Sequence, residues 1–103
     1  MSDPNSKQKL SNQPLVSICI PTYNAKKTVV QTVQSILNQT YKNLEIIIVD
    51  NASTDNTLDL LQKFKDPRIK IYKNIKNIGA EKNFSRCIEL AKGKYIAIFH
   101  ADD

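Results

Sequence analysis

Glycine is scarce in this sequence of 103 residues, which contains only Gly79 and Gly93. Neither lies in the turn after the first predicted strand, where a dinucleotide pyrophosphate needs glycine for close approach of the backbone. The Gly-Lys-Ser/Thr signature of a phosphate-binding loop is also missing. The sequence therefore argues against a nicotinamide-binding Rossmann domain and against a P-loop protein.

Long hydrophobic runs and paired cysteines are lacking as well. No apolar run approaches the roughly 18 to 20 residues that span a bilayer, and residues 1–13 have no apolar core of a signal peptide. Cys19 and Cys87 have no Cys or His partner at the spacing of a metal site. We therefore expect two reduced, packed thiols in a cytoplasmic protein.

Charge is present in excess of one sign, with a net charge of +5 at pH 7. This balance favours anionic partners such as nucleotides or acidic headgroups. The densest basic stretch contains Arg68, Lys70, Lys73 and Lys76. Instead of binding an anion, these side chains could form a solvated sheet edge. Because the chain has only 4 Tyr, 3 Phe and no Trp, we expect no nucleic-acid partner.

Apolar segments and helical patterns alternate along the chain. The predicted strands are Leu15–Ile20, Leu44–Val49, Ile69–Tyr72 and a segment that begins at Tyr95. The predicted helices are Lys26–Gln39, a second one capped by Ser53 or Thr54 with Leu58, Leu61 and Phe64 on its apolar face, and Ala80–Ala91. The β-α-β-α-β-α-β order predicts a Rossmann-like α/β fold with a parallel sheet in strand order 3-2-1-4. We expect residues 1–13 to form a flexible tail and the domain to occupy residues 14–103.

Polar clusters follow three of the predicted strands. They are Pro21-Thr22-Tyr23-Asn24, Asp50-Asn51-Ala52-Ser53 and His100-Ala101-Asp102-Asp103. The carboxyl ends of parallel strands meet at one edge of a sheet, so these clusters should form one ligand site. The adjacent carboxylates of Asp102 and Asp103 are costly to hold together without a cation, and carboxylate oxygens suit Mn²⁺ or Mg²⁺.

Five segments, in this order and spacing, resemble family 2 glycosyltransferases over about residues 15–103. They are Val16–Asn24, Ser35–Tyr41, Glu45–Asp55, Asn77–Gly79 and Ala91–Ile96 closing on Asp102-Asp103. The resemblance implies a GT-A fold, with residues 14–103 as its nucleotide-sugar-binding half, and an acceptor-binding half after it. It also implies inverting transfer of a sugar from a nucleoside-diphosphate donor, a UDP-sugar, to an acceptor hydroxyl in polysaccharide or glycolipid synthesis.

The resemblance assigns roles to individual residues. The nucleotide-binding positions that it implies are Pro21, Thr22, Tyr23, Asn24, Asp50, Lys82, Asn83 and Asp102. Tyr23 suits packing on a uracil-like base, and Asp50 suits acceptance of hydrogen bonds from base or ribose. Each of these roles has a structural alternative. Lys82 and Asn83 could instead be solvated helix residues. Tyr23 could instead pack within its loop, and Asp50 could cap the second helix.

The resemblance places the metal at Asp103, with Asp102 at the ribose or at a metal-bound water. His100 departs from the family pattern, which commonly has the first aspartate of Asp-x-Asp there. A neutral imidazole can contact a cation or a phosphate, and a structural role is the alternative. No residue is assigned as general base, since the family carries it in the later half, so we expect this segment to be inactive alone.

Further expectations concern partners. A glycan or glycolipid acceptor implies peripheral contact with the inner face of the membrane, and an open sheet edge after the fourth strand predicts a homodimer. The alternative function from another class is a non-catalytic nucleotide-binding or interaction module.

Overall fold

The computed structural model describes residues 13–101, in which strands and helices alternate. They are β1 (Val16–Thr22), α1 (Val29–Leu37), β2 (Leu44–Asp50), α2 (Thr57–Leu61), β3 (Ile69–Lys73), α3 (Ala80–Leu90) and β4 (Tyr95–Ile98). All strand pairs are parallel, and the sheet order is β3-β2-β1-β4. The predicted fold class and strand order are confirmed. The predicted tail lies outside the described residues except for Gln13.

Strand β2 is buried at every position because helices cover both faces of the sheet. On one face, Ile18, Ile20, Ile46 and Ile48 pack against the apolar sides of α1 and α2. On the other face, Cys19, Ile47 and Val49 pack around Cys87 of α3. The two-residue period of each strand thus divides the core into two layers.

Both cysteines are free thiols in this second layer. The Cys87 thiol donates to the Ile47 carbonyl at 3.4 Å, and the Cys19 thiol donates to the Cys87 carbonyl at 3.5 Å. Their place in the fold is that of packed side chains between α3 and the sheet, as expected.

Strand β1 continues through Pro21 to Thr22, whereas the predicted strand ended at Ile20, before the proline. Proline lacks an N–H, and it is tolerated in a strand where no partner needs one. The pairing of β1 with β4 ends at Cys19 and Ile98, while Pro21 still lies in register with Val49 of β2. Beyond Cys19, β1 is therefore an edge strand on its β4 side.

Helix α2 begins after Asn56, later than the predicted caps, and it ends at Leu61. Ser53 and Thr54 do not cap it because their side chains bind elsewhere. The Ser53 hydroxyl donates to Asp50 at 2.6 Å, and the Thr54 hydroxyl donates to Asn24 at 3.3 Å. Tertiary contacts of the loop thus displace the helix start.

The other two helices are also shorter than predicted, since α1 begins at Val29 and α3 ends at Leu90, before the extended Ala91. Within the described range, no helix has both the length and the apolar character needed to cross a membrane.

Candidate functional site

A cavity of about 300 Å³ opens at the carboxyl end of β1. It is lined by Pro21, Thr22, Tyr23, Asn51, Asn77, Gly79, Ala80, Asn83, Phe84 and His100. The lining residues lie at or just after the carboxyl ends of β1, β2 and β4 or belong to the β3–α3 loop and the start of α3, as expected for a parallel sheet whose strand ends meet at one edge. Five of the predicted site residues therefore share one cavity: Pro21, Thr22, Tyr23, Asn83 and His100.

Asp50 borders a neighbouring cavity of about 460 Å³, together with Ser53, Lys73 and Asn74. Its side chain is only 2% exposed. One carboxylate oxygen accepts from the hydroxyls of Thr22 (3.2 Å) and Ser53 (2.6 Å), and the other accepts from the Ser53 N–H at 3.0 Å. These donors compensate the burial of the carboxylate and fix its direction.

Asn24 joins the loop after β1 to the loop after β2. Its backbone is left-handed, with φ of 48°, and its N–H donates to the Ser53 hydroxyl at 2.9 Å. Its side-chain oxygen accepts from the N–H groups of Thr54 (2.8 Å) and Asp55 (3.3 Å). The side-chain oxygen of Asn24 is therefore engaged by the protein itself, and its predicted contact with a nucleotide stays a prediction.

Tyr23, next to Asn24, is 41% exposed and borders the cavity. The bonds of Asn24 hold the loop that carries Tyr23 to the cavity. A partly exposed aromatic ring that lines a cavity can stack on a planar ring of a ligand.

Lys82 and Asn83 occupy different environments, although they are adjacent on α3. Asn83 is buried, where its amide donates to the Val49 carbonyl at 3.0 Å and accepts from Asn74 at 2.8 Å. Lys82 is exposed and does not line the cavity. Asn83 thus contributes to the wall, and a phosphate contact by Lys82 requires its flexible side chain to reach over the rim.

Behind this wall lies a network of asparagines that the sequence patterns did not predict. Asn74 donates to Asn51 at 2.9 Å, and Asn51 donates to Asn77 at 2.9 Å. The N–H groups of Ile78 and Gly79 donate to the side-chain oxygens of Asn51 (2.9 Å) and Asn77 (2.8 Å). The available signal was the presence of asparagine directly after both β2 and β3.

His100 is exposed and lines the cavity. Of the three predicted metal ligands, His100 lies within the described residues. Asp102 and Asp103 lie outside the described residues. Between residues 13 and 101, no group of three or more His, Cys, Asp or Glu side chains comes together as a metal site. The Thr28 hydroxyl donates to the Ala101 carbonyl, which ties the segment after β4 to the start of α1.

The basic stretch on β3 is partly paired. Arg68 binds Asp66 at 2.9 Å, and Lys70 binds Glu45 at 3.0 Å. Hydrogen bonds from the side chain and N–H of Arg68 lower the pKa of Asp66 to about 2. Two of the four basic side chains therefore form ion pairs within the protein. This supports the interpretation of the basic stretch as a solvated sheet edge.

A parallel sheet with a cavity at its carboxyl edge, lined by apolar surface and a few polar groups, defines a Rossmann-like α/β ligand-binding domain. Residues 17–103 match Glycosyl transferase family 2, so the chain belongs to that family.

The comparisons with single proteins agree. The chain is 51% identical over 89 residues to an Escherichia coli protein, the UDP-Glc:alpha-D-GlcNAc-diphosphoundecaprenol beta-1,3-glucosyltransferase WfaP. The match covers 86% of this chain and 36% of WfaP, so the chain spans about a third of that relative.

Two solved structures share the fold. The mannosyltransferase PcManGT from Pyrobaculum calidifontis, in complex with GDP-Man and Mn²⁺, has a TM-score of 0.81 at 26% identity, over 89% of this chain and 28% of that one. Staphylococcus aureus TarS 1–349 in complex with UDP has a TM-score of 0.79 at 26% identity, over 84% of this chain and 27% of that one.

Proposed function

We propose that the protein is a glycosyltransferase that moves a sugar from a UDP-sugar to a hydroxyl of a glycan or glycolipid acceptor, with inversion of configuration. Family membership, together with the cavity at the carboxyl edge of the sheet, carries this proposal. The name of WfaP specifies a UDP-sugar donor and a lipid-linked acceptor, and the structure of TarS has been solved with UDP. Residues 14–103 would then be the donor-binding part, and the family favours this function over a non-catalytic binding module.

The nucleotide is assigned to the two neighbouring cavities. Tyr23 offers its exposed ring to the base, and Asp50 offers carboxylate lone pairs to an N–H of the base or to the ribose. Pro21 and Thr22 line the first cavity, and Thr22 connects it to the second because its hydroxyl donates to Asp50. A carboxylate held by three donors loses little mobility on binding, which favours recognition.

The diphosphate is assigned to the rim near His100, with Lys82 as a mobile cation. The donor set of His100, Asp102 and Asp103 suits Mn²⁺ or Mg²⁺, because both ions accept carboxylate oxygen and Mn²⁺ also accepts imidazole. When bound, such a cation neutralises the departing diphosphate. We assign no general base for the acceptor hydroxyl within residues 13–101. A lipid-linked acceptor would bring this cytoplasmic protein into peripheral contact with the inner face of the membrane.

Calorimetric titration of UDP, with and without Mn²⁺, tests this function. We expect Mn²⁺-dependent binding that Asp103→Ala abolishes and Asp50→Ala weakens. Loss of base stacking in Tyr23→Ala should weaken binding about tenfold. The matched controls are Tyr95→Ala, an exposed tyrosine on β4, and Asp59→Ala, an exposed carboxylate on α2. A folded protein that binds none of UDP, GDP and dTDP would contradict the proposal.

The open edge of β4 supports our second proposal, a homodimer. In the described sheet, β4 pairs with β1 on one side only, and Tyr95 and Ile96 are 56% and 42% exposed. Unpaired strand edges with apolar side chains favour association.

We expect sedimentation velocity to show a concentration-dependent dimer that Ile96→Lys disrupts. Ile75→Lys, at a fully exposed isoleucine, is the control and should leave the dimer intact. A wild-type protein that stays monomeric at every concentration would rule out this contact.

A further inference from the structure

A chain of side-chain amides behind the cavity wall ends on the guanidinium of Arg86. Arg86 donates to the side-chain oxygen of Asn74 at 2.5 Å. The amide nitrogen of Asn74 donates onward to Asn51 at 2.9 Å and to Asn83 at 2.8 Å. Arg86 itself does not line the cavity, so its influence on the wall passes through Asn74.

Arg86 gives this network a direction. An asparagine amide can donate from one end and accept at the other, and a half-turn exchanges the two ends. A guanidinium can only donate, so it requires the oxygen of Asn74 to face it. The nitrogen of Asn74 must then face Asn51 and Asn83, which present their oxygens.

The far ends of the network agree with this direction. Asn83, with its oxygen on Asn74, turns its nitrogen to the Val49 carbonyl at 3.0 Å. Asn51, with its oxygen on Asn74, also accepts from the Ile78 N–H and donates to Asn77. Asn77 accepts from the Gly79 N–H at 2.8 Å. The buried amides of Asn74, Asn51 and Asn83 thus each donate and accept within the network, which is what buried polar groups require.

The network holds the segment of residues 74–79, which closes one side of the cavity with Asn77 and Gly79. This segment is otherwise exposed at residues 75–77, and no helix or strand spans it. Backbone bonds hold its two ends, from the Asn74 N–H to Asp50 and from the Asn83 N–H to Gly79, and between them the Ile78 and Gly79 N–H groups bind Asn51 and Asn77.

We propose that Arg86 is a positioning residue for the nucleotide site. Its guanidinium fixes the amide of Asn74 and, through Asn51 and Asn83, the wall formed by residues 77–83. The proposal rests on the proposed function for its ligand, since the wall is assigned to a nucleotide. It does not place Arg86 in contact with that nucleotide.

The test is UDP affinity, with Mn²⁺ present, in Arg86→Met and Arg86→Lys. Methionine keeps the length of the side chain but leaves the buried oxygen of Asn74 without a donor, so we expect UDP to bind about tenfold more weakly. Lysine restores one donor and should recover most of the affinity. The matched control is Arg68→Met, which removes an arginine bound to Asp66 rather than to the network, and it should bind UDP like the wild type.

Hydrogen exchange of the amides of Ile78 and Gly79 supplies a readout that needs no nucleotide. Arg86→Met should exchange these amides at least tenfold faster and leave the amides of β2 protected. Unchanged UDP affinity together with unchanged exchange would overturn the proposal. If the wild type binds no UDP, the proposed function fails, and the exchange of Ile78 and Gly79 alone decides the role of Arg86.

A second variant covers the case in which Arg86→Met does not fold. Asn74→Asp keeps an acceptor for Arg86 but has no nitrogen to donate to Asn51 and Asn83. It should weaken UDP binding and speed the same exchange although the contact with Arg86 is retained. Wild-type affinity and exchange in Asn74→Asp would show that the direction of the network does not matter, which also overturns the proposal.

Discussion

Replacement of Gly93 by alanine is expected to destabilise the protein by about 3 kcal/mol. A Cβ at this position would lie 2.6 Å from the Ser17 hydroxyl, 2.7 Å from the Ser17 nitrogen and 2.8 Å from the Leu15 carbonyl oxygen. Two of these are backbone atoms at the start of β1, so relief requires the strands to separate. The neighbouring bond from the Lys94 N–H to Leu15, at 2.8 Å, would be lost as they part.

Thermal unfolding measures this effect, and a loss of 3 kcal/mol corresponds to a fall in Tm of more than about 10 °C. Gly79→Ala is the matched control, since a Cβ there meets nothing within 4 Å and only its φ of 89° is unfavourable. We expect Gly79→Ala to cost about 1 to 2 kcal/mol, because φ of 89° with ψ of 153° lies in a backbone region that is essentially restricted to glycine. Equal Tm values for the two variants would mean that the contact of Gly93 with β1 does not limit stability.

Removal of the Glu45 side chain in Glu45→Leu is expected to cost about 3 kcal/mol at pH 7. Glu45 lies buried at the amino edge of β2, opposite the candidate site. It accepts from the Ser17 hydroxyl at 2.5 Å, the Lys92 N–H at 2.6 Å and the Lys70 ammonium at 3.0 Å. Leucine fills the space but leaves the buried Ser17 hydroxyl and the part-buried Lys92 N–H without this acceptor, which is costly, whereas the exposed Lys70 ammonium returns to water.

The same contacts predict how stability changes with pH. Burial acts to raise the pKa of Glu45, but the hydrogen bonds from Ser17, Lys92 and Lys70 outweigh it, and the pKa is lowered overall. An unfolded glutamate has a pKa of about 4.3. A group with a lower pKa in the folded state stabilises fully above that value, and this stability is lost as the pH falls through the folded pKa.

Urea unfolding between pH 7 and pH 2 checks this expectation. The wild type should lose stability below about pH 4.3, and Glu45→Gln, which does not titrate, should lose less over that range. Asp59→Asn, at an exposed carboxylate on α2, serves as control and should follow the wild type. Identical pH profiles for Glu45→Gln and the wild type would contradict a stabilising charge on Glu45.

The sequence alone determined the fold class, the strand order and the edge of the sheet at which the cavity opens. This was possible because continuous apolar strands such as Leu44–Asp50 must be buried on both faces, and parallel connections are right-handed. The motifs also placed Tyr23 and His100 at one cavity, since both follow the carboxyl ends of strands.

Only the tertiary structure decided what these side chains contact. Asn24 binds a loop about 30 residues away, which removes Ser53 and Thr54 from the helix cap. Arg86 reaches Asn74, and Gly93 meets Ser17 across 76 residues of sequence. Local patterns report periodicity and turn preference, whereas such pairs depend on how two distant segments dock. Packing therefore fixed the wall of the site, the buried place of Glu45 and the closeness of β1 to Gly93.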